Sequence, residues 1–441
     1  MAALKAERPP ADPRRVALAA LDAILTRQTA LETAVSDAPG FGALAGRDRA
    51  FTRNLVSTCL RHAGEIESVI AALIARPLPD NARAARHILM LGLTQLLFLA
   101  TPPHAAVGTS VSLAGTGPAL RFKGLINAVL RRAAREGAGV LGRLDAPRVN
   151  TPDALWQSWE AAYGADTAHA IATANMIEAP LDLTPRHSED AEDLARLLGA
   201  EVLPTGSLRR REGGMIAELP GFDEGRWWVQ DAAAALPARL LGPRAGCRVL
   251  DLCAAPGGKT LQLADAGGRV TAVDQDKTRL EMLRRNLKRT GLSAELVCAD
   301  GRKFDAPPFD AVLLDAPCSA TGTIRRHPDI AIGKGPADAA RLAPVQDALL
   351  DNAARLTRPG GTLVYAVCSL QPEEGEGRIE GFLARHGDFV RVPVTAAEIG
   401  GLDEALMPAG DLRTLPSLLA ERGGMDGFYA ARLRRSIEAA T

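Results

Sequence analysis

Two cysteines stand just beyond hydrophobic runs. Cys318 lies in Asp315-Ala316-Pro317-Cys318-Ser319 after Phe309–Leu314, and Cys368 opens Cys368-Ser369-Leu370 after Gly361–Val367. A cysteine thiolate is a strong nucleophile near neutral pH and also leaves readily, so a pair of them suits transient covalent chemistry. Four acids close comparable runs: Asp251, Asp274, Asp300 and Asp315. If those runs are neighbouring strands of an open α/β sheet, all six side chains meet beyond the carboxyl edge, where such sheets bind ligands. Taken singly, each has a plainer use. A cysteine near a strand end is often a small buried apolar group, and an acid there often caps the next helix.

The elements around them fit such a sheet. Cys247–Leu252 reads as a strand and Thr260–Ala264 as the start of a helix, joined by the Gly-rich turn Cys253-Ala254-Ala255-Pro256-Gly257-Gly258-Lys259. Such a turn admits a ligand close to the backbone and presents the bare amides of the first helical turn. A second strand, Arg269–Asp274, ends on an acid placed like the ribose-binding carboxylate of a dinucleotide fold. The turn is neither Gly-x-Gly-x-x-Gly nor a complete phosphate-cradling loop. The expected ligand is therefore a nucleoside carrying another reactive group, and S-adenosylmethionine fits that description. A third strand, Ala294–Ala299, ends on Asp300, where an acid reaches the adenine or its ribose. Helices expected at about 276–289 and 338–356 complete the βα alternation of a doubly wound parallel sheet.

Three motifs in order, Asp-Leu-Cys-Ala-Ala-Pro-Gly-Gly-Lys-Thr (251–260), Asp-Ala-Pro-Cys-Ser-Ala-Thr-Gly (315–322) and Val-Cys-Ser-Leu-Gln-Pro-Glu-Glu (367–374), resemble the RNA 5-methylcytosine methyltransferases of the Sun/Fmu (RsmB) family. Thr323–Ile330 resembles its small-subunit rRNA branch. The resemblance implies a class I methyltransferase domain with a Rossmann-like sheet and an antiparallel last strand at its edge. It implies S-adenosylmethionine held by Cys253 through Lys259, Asp274, Asp300 and Asp315, with Cys253 lending only its backbone, and no metal. Carbon 5 of cytosine is a poor nucleophile, and addition of a thiolate to carbon 6 activates it. The resemblance gives that role to Cys368 and the release of the methylated base to Cys318. Asp315 would hold the cytosine edge, and Lys259 would position groups or favour the thiolate. The implied substrate is unpaired or flipped RNA, foremost 16S rRNA. A tRNA or 23S rRNA target, a DNA or small-molecule methyltransferase, and a non-catalytic antitermination factor stand as the alternatives.

The chain of 441 residues exceeds one ordinary core, and its formal charge of zero announces no polyanion partner. Six scattered cysteines lack metal-ligand spacing and no secretory signal is apparent, which reads as a reduced, cytoplasmic protein. His87–Ala100 is too short an apolar run to cross a bilayer and is expected to be a core helix. The first 15 residues read as a tail. From there to about Arg135, helical spacing of apolar residues predicts five to seven helices with breaks at Pro39-Gly40, Arg76–Pro79, Thr101–Pro103 and Thr116–Pro118. This part resembles the NusB domain through Asp48–Arg53 and Phe122–Arg132, which implies RNA binding. Arg131, Arg132 and Arg135 read equally well as a solvated helix face. The expected domains are a NusB-like all-α domain (1–142), a small α+β linker (143–230) and the methyltransferase domain (231–441), in a monomer. Within the linker, Trp156 and Trp159 should share a buried helix face. Leu181–Thr184 lacks the arginine that the family carries in its Leu-Arg-Val-Asn strand. The Gly-rich run Ile332–Pro336 reads as a loop able to close over the substrate.

Overall fold

The computed structural model describes residues 12–242 and 245–437 and divides them into two compact units. One holds the chain to Trp156 together with His327–Gly333; the other holds Gln157–Arg326 and everything from Lys334. The expected N-terminal tail lies, as far as residue 11, outside the described residues.

The first unit is helical. Its longer α-helices run Pro13–Arg27, Leu31–Ser36, Gly46–Arg61, Ala63–Leu73, Arg83–Leu97, Pro103–Leu113 and Lys123–Leu141, with a short one at Ala146–Val149; the four expected breaks are found, while two more, at Gln28–Ala30 and His62, hold neither proline nor glycine. Asp12 caps the first helix by accepting from the Arg14 amide at 2.9 Å, with Pro13 at the first helical position, where no amide hydrogen is needed. His87–Leu97 lies within the central helix, whose Ile88, Leu89, Leu91 and Leu93 are buried in a core of aliphatic side chains and alanines. Arg131, Arg132 and Arg135 lie exposed along the last helix. Arg131 and Arg132 bond to Asn127 and Glu136, and Arg135 to the Arg131 carbonyl, so local bonding accounts for them. Trp156 belongs to this unit, under the Arg148 guanidinium, whereas Trp159 belongs to the other, where it is buried and donates to Gln371. The two indoles therefore do not serve one core.

The second unit contains two sheets. The smaller is antiparallel, built from β1 (Leu181–Pro185), β2 (Glu201–Val202), β3 (Leu208–Arg210) and β4 (Trp227–Val229) in the order β2-β3-β1-β4. The larger holds β5 (Arg248–Leu252), β6 (Arg269–Asp274), β7 (Glu295–Cys298), β8 (Phe309–Asp315), β9 (Thr357–Val367), β10 (Phe389–Arg391), β11 (Leu412–Thr414) and β12 (Phe428–Arg435). Its order is β10-β12-β9-β8-β5-β6-β7, with β11 paired to β12. Strands β5 to β9 run parallel; near-continuous apolar sequence fits the burial of β5 and β8 on both faces, while β7, at the edge, has no buried residue. The last strand is antiparallel as expected but lies one place in from the edge, between β9 and β10.

The Pro359-Gly360-Gly361 sequence makes an irregularity inside β9, whose partners slip from Phe309↔Thr357 to Ala311↔Thr362. After β4 the next helix starts only at Leu236, because the Asp231 and Asp182 carboxylates take the Ala233 and Ala232 amides and hold that stretch as turns. The expected Gly-rich loop is mostly helix: Asp329–Gly333 forms one and Pro336–Leu356 another, leaving Lys334-Gly335 between them.

Candidate active site

The β8 and β9 tips carry the two cysteines, and parallel pairing puts Asp315 opposite Ala366, so the loops leave the sheet side by side. The Cys318 and Cys368 sulfurs lie 3.5 Å apart, in hydrogen-bond contact and partly accessible. Main-chain bonds bind the two loops: Ala316 donates to Ala366 at 2.9 Å and Gly322 to Cys368 at 3.0 Å. Behind the sulfurs sits Glu374, fully buried. It accepts from the Ser319 amide at 2.9 Å, from Gln346 at 3.0 Å, and from the Ser319 and Ser369 hydroxyls. A carboxylate without water is tolerable only when its lone pairs are filled in this way. The Cys318 thiol is pushed well up, first because it donates to Cys368, then by burial and by the Cys368 and Glu374 charges.

Beside them, the Lys259 ammonium, buried in the first turn of the helix Gly258–Asp265, meets the Asp315 carboxylate at 2.8 Å and lies 5.0 Å from the Phe428 ring centre. The Asp315 side chain remains 30% exposed, so it can still face a ligand.

The turn Cys253–Gly258 is held from below. Asp274 accepts the Ala255 amide at 3.0 Å and the Asp276 amide at 2.9 Å, and Arg279 donates to the Ala255 carbonyl. The Ala255-Pro256 bond is cis, and Cys253 and Gly257 both have positive φ. Gly257 is required for packing: a Cβ there would come within 2.2 Å of Leu283, and one at Gly258 within 3.2 Å of Gln230. These glycines therefore seat the turn on its neighbours. Burial and the surrounding aspartates raise the Cys253 thiol far above its ordinary range, which leaves it a packing group.

The six residues do not all converge. Asp251 is fully buried inside β5, bonds the Thr260 hydroxyl at 2.6 Å, and is raised to about 7 by desolvation; it faces no cleft. Asp300 lies half-exposed beyond β7 with both oxygens on Arg302, which holds it down to about 2. The clustered tips are those of β5, β6, β8 and β9. Unforeseen were Glu374, Ser319, Ser369, Gln346 and Arg413, which donates to the Ser369 carbonyl and to Glu376 at 2.6 Å. Of these, the quoted motifs already hold Ser319, Ser369 and Glu374, but nothing in them couples the three, and Gln346 and Arg413 left no trace.

A nearby buried ion network was equally hidden. Arg209 makes a two-pronged pair with Asp182 at 2.6 and 2.7 Å, and Arg326 pairs with Asp426. Asp182 of β1 thus meets its opposite charge on Arg209 of the neighbouring β3.

The donor set fits S-adenosylmethionine. That molecule offers hydroxyls, amino groups and a positive sulfonium, and the tips of β6 and β8 offer carboxylates beside a turn with free amides. Asp274 and Asp315 would repel a pyrophosphate. Among the described residues no cluster of histidine, cysteine or acid could hold a metal, and no helix is long and apolar enough to cross a membrane.

Comparison with known proteins agrees. The 16S rRNA methyltransferase RsmB/F profile matches residues 238–434, and the NusB family profile matches 11–135. Ribosomal RNA small subunit methyltransferase B of Pseudomonas syringae is 38% identical, over 96% of this chain and 96% of its own. The protein of the same name from Vibrio cholerae is 38% identical over 88% of this chain and 90% of its own. The crystal structure of PH0851 shares the fold, with a TM-score of 0.72 at 23% identity over 98% of this chain and 100% of that one. With its carboxylate-lined turn and its paired thiols, the chain belongs to the RsmB/F family of S-adenosylmethionine-dependent methyltransferases.

Proposed function

We propose that this protein methylates carbon 5 of a cytosine in 16S rRNA through a transient bond between Cys368 and carbon 6. The observation that carries this reading is the 3.5 Å approach of two sulfurs at neighbouring strand tips. The names of the relatives, small subunit methyltransferases, and the NusB match at the front of the chain support RNA of the small subunit as the target.

The Cys368 thiolate forms the sulfur–carbon 6 bond, and the ring's π electrons move to carbon 5. Bound S-adenosylmethionine supplies the electrophilic methyl. Asp315, held by Lys259, accepts a hydrogen bond from the protonated cytosine edge and so favours addition. Cys318 first keeps its proton because it donates to the neighbouring sulfur. Once that sulfur is bonded to carbon, its charge is gone and with it the chief cause of the raised pKa. Cys318 can then ionise, take the proton from carbon 5, and let the carbon 6–sulfur bond break, returning Cys368 as thiolate.

Bisulfite sequencing of rRNA and tRNA from a strain lacking the protein tests the target. One cytosine of 16S rRNA should lose its protection, and wild-type protein should restore it where Cys368→Ala does not. Protection lost in tRNA or 23S rRNA instead would overturn the 16S assignment, and restoration by Cys368→Ala would overturn the nucleophile.

A further inference from the structure

We propose that Glu374 is a positioning residue, a buried strut that ties the loop after Cys318 to the loop after Cys368 and thereby sets the spacing of the two sulfurs. The inference rests on the reading that both thiols act on one base.

Each cysteine is followed by a serine, and both hydroxyls, of Ser319 and Ser369, donate to the same carboxylate. The Ser319 amide adds a third bond at 2.9 Å. Gln346, from the helix Pro336–Leu356, donates to Glu374 at 3.0 Å and also to the Pro317 carbonyl at 3.0 Å, so it holds the residue before Cys318 against the same strut. Glu374 is itself anchored, since its carbonyl accepts from the Tyr365 hydroxyl at 2.6 Å and its amide donates to Gln371 at 3.1 Å. Tyr365 lies in β9, three residues before Cys368. The loops have other links, but these side-chain bonds act on the residues next to each sulfur. None of the groups bonding the carboxylate carries positive charge, so Glu374 serves through reach and acceptor geometry.

Glutamine keeps that reach. Its amide oxygen can accept from the Ser319 amide and Gln346, and its amino group can donate to hydroxyls that rotate to accept. Aspartate keeps the charge but is shorter by about 1.5 Å, one carbon–carbon bond, and cannot span both loops. The full-length enzyme is assayed with S-adenosylmethionine and a 16S rRNA transcript. Glu374→Asp should lower kcat about a hundredfold and Glu374→Gln about tenfold or less, since misplacing reacting groups by an ångström costs that order of rate. KM for both substrates should stay within about threefold, because neither touches Glu374.

A transcript carrying 5-fluorocytidine supplies the second readout. Its carbon 5 has no proton to lose, so the Cys368 adduct persists, and the rate of its appearance should fall in parallel with kcat. Aspartate equal to or better than glutamine, both variants at wild-type kcat, or a loss confined to KM would each overturn the proposal. If aspartate prevents folding, Ser369→Ala removes one arm of the strut and should lower kcat about tenfold at unchanged KM; an unaltered kcat overturns it. Absence of any adduct in the wild-type enzyme while methylation proceeds would instead sink the covalent reading, leaving a different signature.

Discussion

The two halves of the sheet's carboxyl edge are built differently. At β8 and β9 the functional groups are sulfurs partly sunk below the surface, backed by a buried carboxylate whose lone pairs are filled and by main-chain bonds between the loops. At β6 and β7 they are carboxylates: Asp274 spends both oxygens on backbone amides, and Asp300 lies half-exposed with Arg302. Bond making at carbon 6 depends on sub-ångström placement, whereas a nucleoside is held by many contacts that tolerate adjustment. The difference teaches which side is rigid by construction, and each substitution below presses on one side or the other.

The largest effect belongs to the sulfur side. Cys368→Ala should abolish methylation, a fall of about 10⁴-fold or more, because no other group can add to carbon 6. Binding of S-adenosylmethionine, measured by calorimetry, should stay within about threefold, since the cofactor turn is held by Asp274 and Arg279. A variant that lost cofactor affinity as well would mean that the two sides are not separately built.

Next comes the ion network in the same unit. Arg209→Ala strands the buried Asp182 carboxylate, which also accepts the Ala232 amide, and should cost about 3–5 kcal/mol of stability in chemical denaturation. The double change Arg209→Leu with Asp182→Leu removes both charges and should recover most of that loss. A single variant as stable as wild type would show that water reaches the pair.

Asp251 tests the floor beneath the turn. Its carboxyl is raised to about 7 by burial, so the folded protein binds a proton that the unfolded chain, with an ordinary aspartate near 4, has already released. Its contribution to stability is complete below about pH 4 and is lost as pH rises to about 7. Asp251→Asn keeps an acceptor for Thr260 and should stabilise the fold by about 1–2 kcal/mol at pH 8, a gain that vanishes near pH 4. A pH-independent difference in denaturation midpoint would refute the raised pKa.

Much of this was legible from residue types. The strand and turn sequences placed Cys318, Cys368, Asp315 and Lys259 at one edge, because a cysteine or acid after an apolar run has little choice of location in a parallel sheet. What escaped was whatever depends on partners distant in the chain. Arg209 is one of three consecutive arginines, 209–211, and it is buried because Asp182, 27 residues away, faces it on the neighbouring strand. Nothing near Glu374 in the chain points to Ser319 or Gln346, and only the fold brings them to it. Asp251 failed in the other direction. It sits one residue before the end of β5, so its side chain turns into the layer beneath the turn, and a period of two made the whole difference.

The smallest effect is expected at Asp300, and it bears most directly on the comparison. The carboxylate is offered by the strand end, but Arg302 takes both oxygens and the pair is open to water, where an ion pair is cheap to break. Asp300→Asn should therefore shift the S-adenosylmethionine dissociation constant by less than about threefold, the loss expected when a nucleoside trades one solvated partner for another. A loss of tenfold or more, reproduced in Arg302→Ala with the opposite sign, would mean that Arg302 yields the carboxylate to the nucleoside on binding. The carboxylate side would then owe its affinity to a released pair, and the contrast with the fixed sulfurs would sharpen from rigid against open to rigid against exchangeable.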